Sequence, residues 1–402
     1  MRRYLFIFLS VAAVSGSAFL LTKVNTTSLT ALVSKDDAKA TSAQTASNNG
    51  DKTDATTRFK NQDQDIEKQH KLANPPAVIK GVYMTSWVGG YATIREKILN
   101  LVDTSELNAI VLDVKDSTGI IGYEADIPDA KKYGTEEKRI PKINAFIKEL
   151  HDKNIYVIGR VAVFEDPALA KARPDLAVKN SSTGKTWKDK NNLSWMDPTS
   201  QEVWDYNIAI AQDALSRGFD EINFDYIRFP TDGNLGVLSY PLYKGKTLKA
   251  DEIEKFFAYM DEHMHKDQKV KISADLFGLS TVNKDDLGIG QVIESAFAHF
   301  DYIDPMVYPS HYATGFIGYK SPASYPYEVV KYSLDHAMAR LQAGNYRGQL
   351  RPWLQDFNLV GVNYYAKEVR AQIQATYDAG VTDGWLIWNA GNVYTTAAFI
   401  AK

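Results

Sequence analysis

Beyond Pro76 the chain alternates two patterns: short apolar runs rich in β-branched residues, and longer segments in which apolar residues recur every three or four positions. The first pattern predicts strands and the second amphipathic helices. Their regular alternation predicts repeated βα units around a parallel sheet. Strands are predicted at Ile79 to Met84, Ala109 to Val114, Ile155 to Val163, Glu221 to Ile227, Val270 to Leu276, Tyr302 to Val307, Leu350 to Gln355 and Trp385 to Trp388. Helices are predicted between them, at Ile94 to Leu101, Ile143 to His151, Val203 to Ser216, Ile253 to His263, Tyr327 to Leu341 and Tyr365 to Ala379. Eight strands imply closure, so residues 77–402 are read as a (β/α)8 TIM barrel. That span exceeds the roughly 250 residues typical of such barrels. Two stretches, Asp166 to Pro198 and Pro230 to Ala250, are expected to be long loops.

Ahead of the barrel both periodicities vanish. Residues 24–76 are dominated by Thr, Ser, Ala, Asn, Asp, Lys and Gln, a composition that cannot bury enough surface to offset its ordering entropy, and they read as a disordered, flexible stalk. Residues 1–23 carry Arg2 and Arg3 and then an apolar run from Tyr4 to Leu21. This is the layout of a signal peptide or membrane anchor, with the basic end retained inside. Gly16-Ser17-Ala18 offers a cleavage point, whereas Phe19-Leu20-Leu21 beyond it favours an uncleaved anchor. The barrel is therefore expected to be extracytoplasmic, membrane-anchored or secreted.

Alternate residues of a strand face opposite sides, so each predicted strand divides into a helix-facing set and an axis-facing set. With the apolar set turned to the helices, Asn223 and Asp225 point inward on the fourth strand, and Ser273 and Asp275 on the fifth. The same division gives Asp113 and Lys115 on the second, Arg160 on the third, Asp304 and Tyr308 on the sixth, and Trp353 and Gln355 on the seventh. These polar positions fall late in their strands, at the end where barrels of this kind build active sites. Ionisable groups gathered there have pKa values tuned by burial and by one another. The plainer reading of any one of them is an ion pair, such as Asp225 with Arg160 or Arg228. Aromatic residues collect at the same ends: Tyr83, Trp87, Tyr308, Tyr312, Trp353 and Trp388, with Trp187 and Trp195 in the long third loop, where they are hard to bury. Such rings suit the flat faces of sugars.

Composition narrows the chemistry. A formal charge of −3 and a pI near 6.2 give no basic field for nucleic acid. The absence of cysteine removes disulfides, thiolate metal sites and a Cys nucleophile. The histidines form no ligand pair; His263 and His265 sit at a helix end, and His311 is a candidate pocket residue. Gly89-Gly90 lacks a phosphate-loop pattern and reads as a turn. No metal and no cofactor are expected. Carboxylates remain. Asp225 and Asp275 end neighbouring strands about 4.8 Å apart, near the ~5–5.5 Å separation used by retaining glycosidases. They are the candidate catalytic pair, with Tyr83, Asp113, Lys115, Arg160, Asn223, Arg228, Asp304, Tyr308, Trp353, Gln355 and Trp388 as candidate substrate-binding residues. The expected partners are a carbohydrate and, through the N-terminal segment, a membrane, and the chain is expected to be a monomer.

Gly81-Val82-Tyr83-Met84-Thr85, Val111-Leu112-Asp113-Val114-Lys115-Asp116, Phe224-Asp225-Tyr226-Ile227-Arg228-Phe229-Pro230 and Trp385-Leu386-Ile387-Trp388-Asn389 resemble an uncharacterised bacterial family of glycoside hydrolase domains, distantly similar to the α-amylase superfamily. The resemblance spans Val78 to Lys402. It implies a TIM barrel with Asp225 as nucleophile. That superfamily carries a fifth-strand Glu as acid, where this chain has Asp275, and a seventh-strand Asp, for which Asp356 is the nearest match although its parity points outward. Asp220, Asn223 and Asp225 also match family-18 chitinase spacing, but Ile227 replaces the catalytic Glu. A catalytically weak carbohydrate-binding barrel is the alternative reading. A metal-dependent deacetylase is a third.

Overall fold

The computed structural model describes residues 64–266, 270–359 and 361–402, so the expected signal or anchor segment and the stalk up to residue 63 lie outside the described residues. Eight parallel strands close into a barrel: β1 (Ile79–Met84), β2 (Ala109–Lys115), β3 (Tyr156–Ala162), β4 (Glu221–Asp225), β5 (Lys271–Phe277), β6 (Tyr302–Met306), β7 in two pieces (Gln349–Leu350 and Trp353–Gln355) and β8 (Gly384–Trp388). Arg351-Pro352 interrupts β7, because a proline offers no ladder donor there. The first piece pairs with β6 through Tyr302 and Gln349, the second with β8 through Trp353 and Leu386. Closure brings β1 against β8 at Ile79 and Gly384. Gly384 has φ +108°, and a Cβ there would stand 1.7 Å from the Ile79 carbonyl oxygen, so this contact requires glycine.

Helices cover the outside: α1 (Ala92–Thr104), α2 (Ile143–Asp152), α3 (Gln201–Ser216), α4 (Lys249–Met264), α5 (Ile293–His299), α6 (Pro326–Gln342) and α7 (Ala366–Asp378). In α2 the apolar positions Ile143, Phe146, Ile147 and Leu150 form one buried stripe at helical spacing. After β8 the described residues contain a 3-10 turn, Thr396–Ala398. Gly89 and Gly90, read as a turn from sequence, close the short helix Ser86–Gly90 instead, capped by the Thr85 hydroxyl.

Part of the expected stalk lies on the barrel. Asp65 accepts hydrogen bonds from the first amides of α2, at Asn144 and Ala145, and the Leu72 amide donates to Asp220.

The two long loops are joined. Lys179–Asn180 pairs antiparallel with Leu238–Ser239, Trp187 Nε1 donates to the Asn234 carbonyl, and Asp197 Oδ2 accepts from the amides of Leu242 and Tyr243. Trp187 and Trp195 are 2% exposed. The expectation that they were hard to bury is thus corrected: where the loops meet, both indoles pack into the main hydrophobic core outside the barrel.

Candidate active site

Inside the barrel, register sets the inward side chains in tiers. Asp113 lies beside Arg160, Arg160 beside Asn223, Ala162 beside Asp225, and Asp275 beside Asp304. The alternation holds on every strand but β2. There a register shift between Asp113 and Lys115 turns Lys115 away from the axis. Its ammonium donates to Asp166 and to Asn207 on α3, 2.7 Å to each, in full burial. The expected place of Lys115 in the pocket is corrected: it is a buried ion pair behind β2, whose bulge reverses the facing.

At the C-terminal mouth opens a cleft of about 840 Å³. Of the candidate residues, Asp225, Asp275, Arg160, Arg228, Tyr308 and Trp388 line it, and so does His311. Tyr83, Asp113, Asn223, Asp304, Trp353 and Gln355 lie beneath or beside it. Tyr83 stacks under Trp388 with ring centroids 4.0 Å apart and donates to Asp113. Arg160 Nη1 donates to Asp113 over 2.7 Å. Gln355 accepts from Ser310 and donates to the Phe357 carbonyl, fixing the loops after β6 and β7. Asp356 accepts from Thr395, away from the cleft, in keeping with its outward parity.

The two carboxyls differ in surroundings. Asp225 Oδ2 accepts from Arg160 Nη2 and Nε at 2.5 and 3.2 Å, and its Oδ1 from the Tyr226 amide at 2.6 Å. Tyr226 adopts φ +54°, which ends β4 two residues before the sequence-based boundary. A bulky residue in the left-handed region marks local strain of a kind concentrated at functional sites. Asp275 is 2% exposed; its Oδ1 accepts from Asn223 Nδ2 at 2.8 Å and from Trp353 Nε1 at 2.7 Å. Burial, then the charges of Asp225 and Asp304, push Asp275 well above the usual carboxylate range, which favours its protonated form. Arg160 Nε stands 3.2 Å from Asp225 Oδ2 and 4.0 Å from Asp275 Oδ2. Those two oxygens are therefore no more than about 7 Å apart, a bound compatible with the close carboxyl pair of retaining glycosidases.

Below them lies a second network. Arg351, wholly buried, donates to Glu221 at 2.6 and 3.1 Å and to Asp304 at 2.8 and 3.1 Å. Burial still pushes Asp304 up to about 6 against the pull of Arg351. His311 is pushed down by burial to about 4, leaving a neutral imidazole edge-on to Tyr308.

Sequence reasoning missed Tyr226, Phe277, Lys249 and Phe357, which line the cleft, and Glu165, just past β3. Phe277 was within reach, since it continues the inward series from Ser273 and Asp275. Glu165 is buried with Oε1 unpartnered, and burial raises it well above the usual range despite Arg228. Nothing in its neighbourhood in the sequence signals that. Among the described residues no group of three or more His, Asp or Glu is arranged to hold a metal ion.

A closed parallel barrel with a carboxyl raised by burial and an arginine-paired one facing one aromatic cleft has the architecture of glycoside-cleaving barrels. Residues 81–394 match the family described as "Putative glycosyl hydrolase domain", and the chain belongs to that family. No curated protein matches it. Among solved structures, a hypothetical protein from Ruminiclostridium thermocellum is 37% identical over 52% of this chain and 98% of its own, with a TM-score of 0.44. The PgaB (BpsB) glycoside hydrolase domain from Bordetella bronchiseptica is 13% identical over 78% of this chain and 94% of its own, with a TM-score of 0.53. The α-L-fucosidase isoenzyme 2 from Paenibacillus thiaminolyticus is 12% identical over 80% of this chain and 48% of its own, with a TM-score of 0.51. The last two likenesses concern the fold.

Proposed function

We propose that the chain hydrolyses O-glycosidic bonds of a cell-envelope or extracellular polysaccharide, from a position outside the cytoplasm where its N-terminal segment tethers it to a membrane. The observation that carries this reading is the asymmetry of the carboxyl pair. Asp275, whose protonated form is favoured by burial and by its acidic neighbours, is suited to donate a proton from Oδ2 to the leaving oxygen. Asp225, oriented by Arg160 and the Tyr226 amide, is suited to attack the anomeric carbon or to activate water. Trp388, Tyr308 and Phe277 offer apolar faces for sugar rings along the same cleft.

Reducing-end release from a panel of envelope and extracellular glycans tests this, with the full chain compared against Asp225→Asn and Asp275→Asn. Loss of release by both variants, with folding intact, supports the pair. A specific observation favours the second reading: the Asp225–Arg160 ion pair is already satisfied. If the wild type binds a glycan and releases nothing, the chain is a carbohydrate-binding barrel.

A further inference from the structure

Among the described residues four arginines are buried: Arg160, Arg217, Arg228 and Arg351. Arg160 pairs with Asp113 and Asp225, Arg217 with Asp213, and Arg351 with Glu221 and Asp304. Arg228 alone has no carboxylate oxygen within 4.0 Å. It is 8% exposed, and what remains exposed lines the cleft. Its guanidinium carbon lies 4.5 Å from the Phe277 ring centre, 4.8 Å from that of Trp195 and 5.5 Å from that of Tyr226. These rings hold the cation and exclude water from its faces.

The hydrogen bonds are one-sided. Nη1 donates to the Phe229 carbonyl and to Thr231 Oγ1, 3.2 Å to each. Nε and Nη2 have no partner among the described residues, and they are not sealed from solvent. That free edge is the side of an arginine that takes a planar carboxylate through two parallel N–H bonds. The neighbouring acids do not take it. Glu165, Asp225 and Asp232 act on Arg228 only from beyond ion-pair distance; burial raises Glu165 and Asp232, and Asp225 is held by Arg160. A second cation, Lys249, lines the same cleft, poised 5.0 Å over the Phe229 ring with Gly288 as its carbonyl acceptor.

A buried cation with no carboxylate in contact is costly, and an anion bound against it offsets that cost. We propose that the Nε–Nη2 edge of Arg228 is a subsite for the carboxylate of a uronic acid unit, so that the polysaccharide is acidic; the proposal rests on the hydrolase reading above. The subsite adjoins the reacting pair, because Phe277 follows Asp275 on the same face of β5 and Tyr226 follows Asp225 directly. A neutral hexose leaves the fork unfilled. A uronate fills it, and Lys249 adds attraction along the wall.

The test is calorimetric titration of the full chain, made inactive by Asp275→Asn, with oligoglucuronate, oligomannuronate and oligogalacturonate and with the same oligosaccharides after reduction of their carboxyls to alcohols. At least one uronate is expected to bind about tenfold tighter than its reduced form. Arg228→Met and Arg228→Lys are both expected to reduce that preference, read within each variant as the ratio of uronate to reduced-form affinity, to less than about twofold, since lysine keeps the charge but lacks the fork. No preference in the parent, or a preference surviving in Arg228→Met, overturns the subsite. Reducing-end release by the active chain, run in parallel on neutral glycans, separates the two ideas. Release without uronate preference overturns the subsite and leaves the hydrolase, whereas neither binding nor release from any glycan overturns both.

Discussion

Two carboxyls at the N-terminal end of the barrel and three at the C-terminal end are treated in opposite ways. At the N-terminal end, burial would raise Glu106, but the Ile400 amide, Lys80 and Arg370 outweigh it and bring it below its usual value. Burial would likewise raise Asp301, but His265, Lys271 and the Ile272 amide bring it down to about 2. At the C-terminal end, burial wins: Asp113, Glu165 and Asp275 are all raised. Between them the Glu221–Arg351–Asp304 cluster is closed, with the whole guanidinium engaged. The lesson is that charge alone does not mark a site. Nor does a raised pKa alone mark one: Asp166 and Asp304 are raised inside closed ion pairs that serve the fold, whereas Asp275 is raised and also lines the cleft, where it is free for chemistry.

The largest expected effect follows directly. Asp275→Asn keeps an acceptor at Oδ1 for Asn223 and Trp353 but removes the transferable proton. Turnover is expected to fall by about 10²–10⁴-fold, the usual contribution of a general acid. Thermal stability should hold, since an amide matches the buried neutral carboxyl in size and keeps its acceptor for Asn223 and Trp353. Steady-state kinetics and a melting curve on one preparation check both halves, and a large loss of stability would place Asp275 with the structural carboxyls instead. The counterpart below is Arg351→Met, which strands Glu221 and Asp304 in the interior. It is expected to cost about 3–5 kcal/mol of unfolding free energy in urea titrations, as for one member of a buried ion cluster. Replacing Glu221 by Gln in the same chain should restore part of that loss.

Much of this division was legible in the sequence, because a strand's period of two reports facing directly. Ile222 and Phe224 out meant Asn223 and Asp225 in, and β4 obeys. Legibility failed where the period itself breaks. The bulge in β2 reversed Lys115, and the left-handed Tyr226 ended β4 early. Arg351 shares the parity of Trp353 and Gln355, yet it stands at the Pro352 break where β7 splits, so the cation that closes the central cluster went unread. Trp187 and Trp195 misled for another reason: their burial depends on two loops meeting, and no local pattern encodes contacts between segments some fifty residues apart, such as Trp187 with Asn234. The short helices Pro128–Tyr133 and Pro167–Ala172 and the brief α5 carry too few turns for a periodicity to stand out.

A smaller effect sharpens the coupling between the tiers. Asp304 is among the charges that raise Asp275. Asp304→Asn removes a negative charge and leaves Arg351 less compensated, and both changes favour the ionised form of Asp275. If Asp275 must be protonated to act, activity is lost as pH rises through its pKa. The alkaline limb of the kcat/KM profile is therefore expected to move to lower pH in this variant, with little change on the acid side. An unmoved limb would mean that another group supplies the proton.

The smallest effect lies at the N-terminal rim and has the opposite sign in pH. Asp301, lowered to about 2, contributes stability that is fully present above its unfolded value, about 3.9, and is lost as pH falls through 2. His265 faces it through Nε2 at 2.8 Å; burial is the largest influence and would lower it, but the hydrogen bond and charge of Asp301, with the Asp261 contact at Nδ1, together outweigh burial and raise it. The contribution of His265 is fully present below its unfolded value, near 6.5, and is lost as pH rises through the raised one. The pair is thus strongest near pH 5, where the carboxylate and the imidazolium are both formed. Asp301→Asn is expected to cost about 1–2 kcal/mol there. The deficit shrinks toward pH 2 as the parent loses its charge, and shrinks in part above neutrality, where Lys271 and the Ile272 amide still hold the carboxylate. Denaturant titrations of parent and variant at pH 3, 5 and 8 should trace that maximum. A deficit growing steadily toward high pH would instead show that Lys271 carries the contact and the histidine only packs against it.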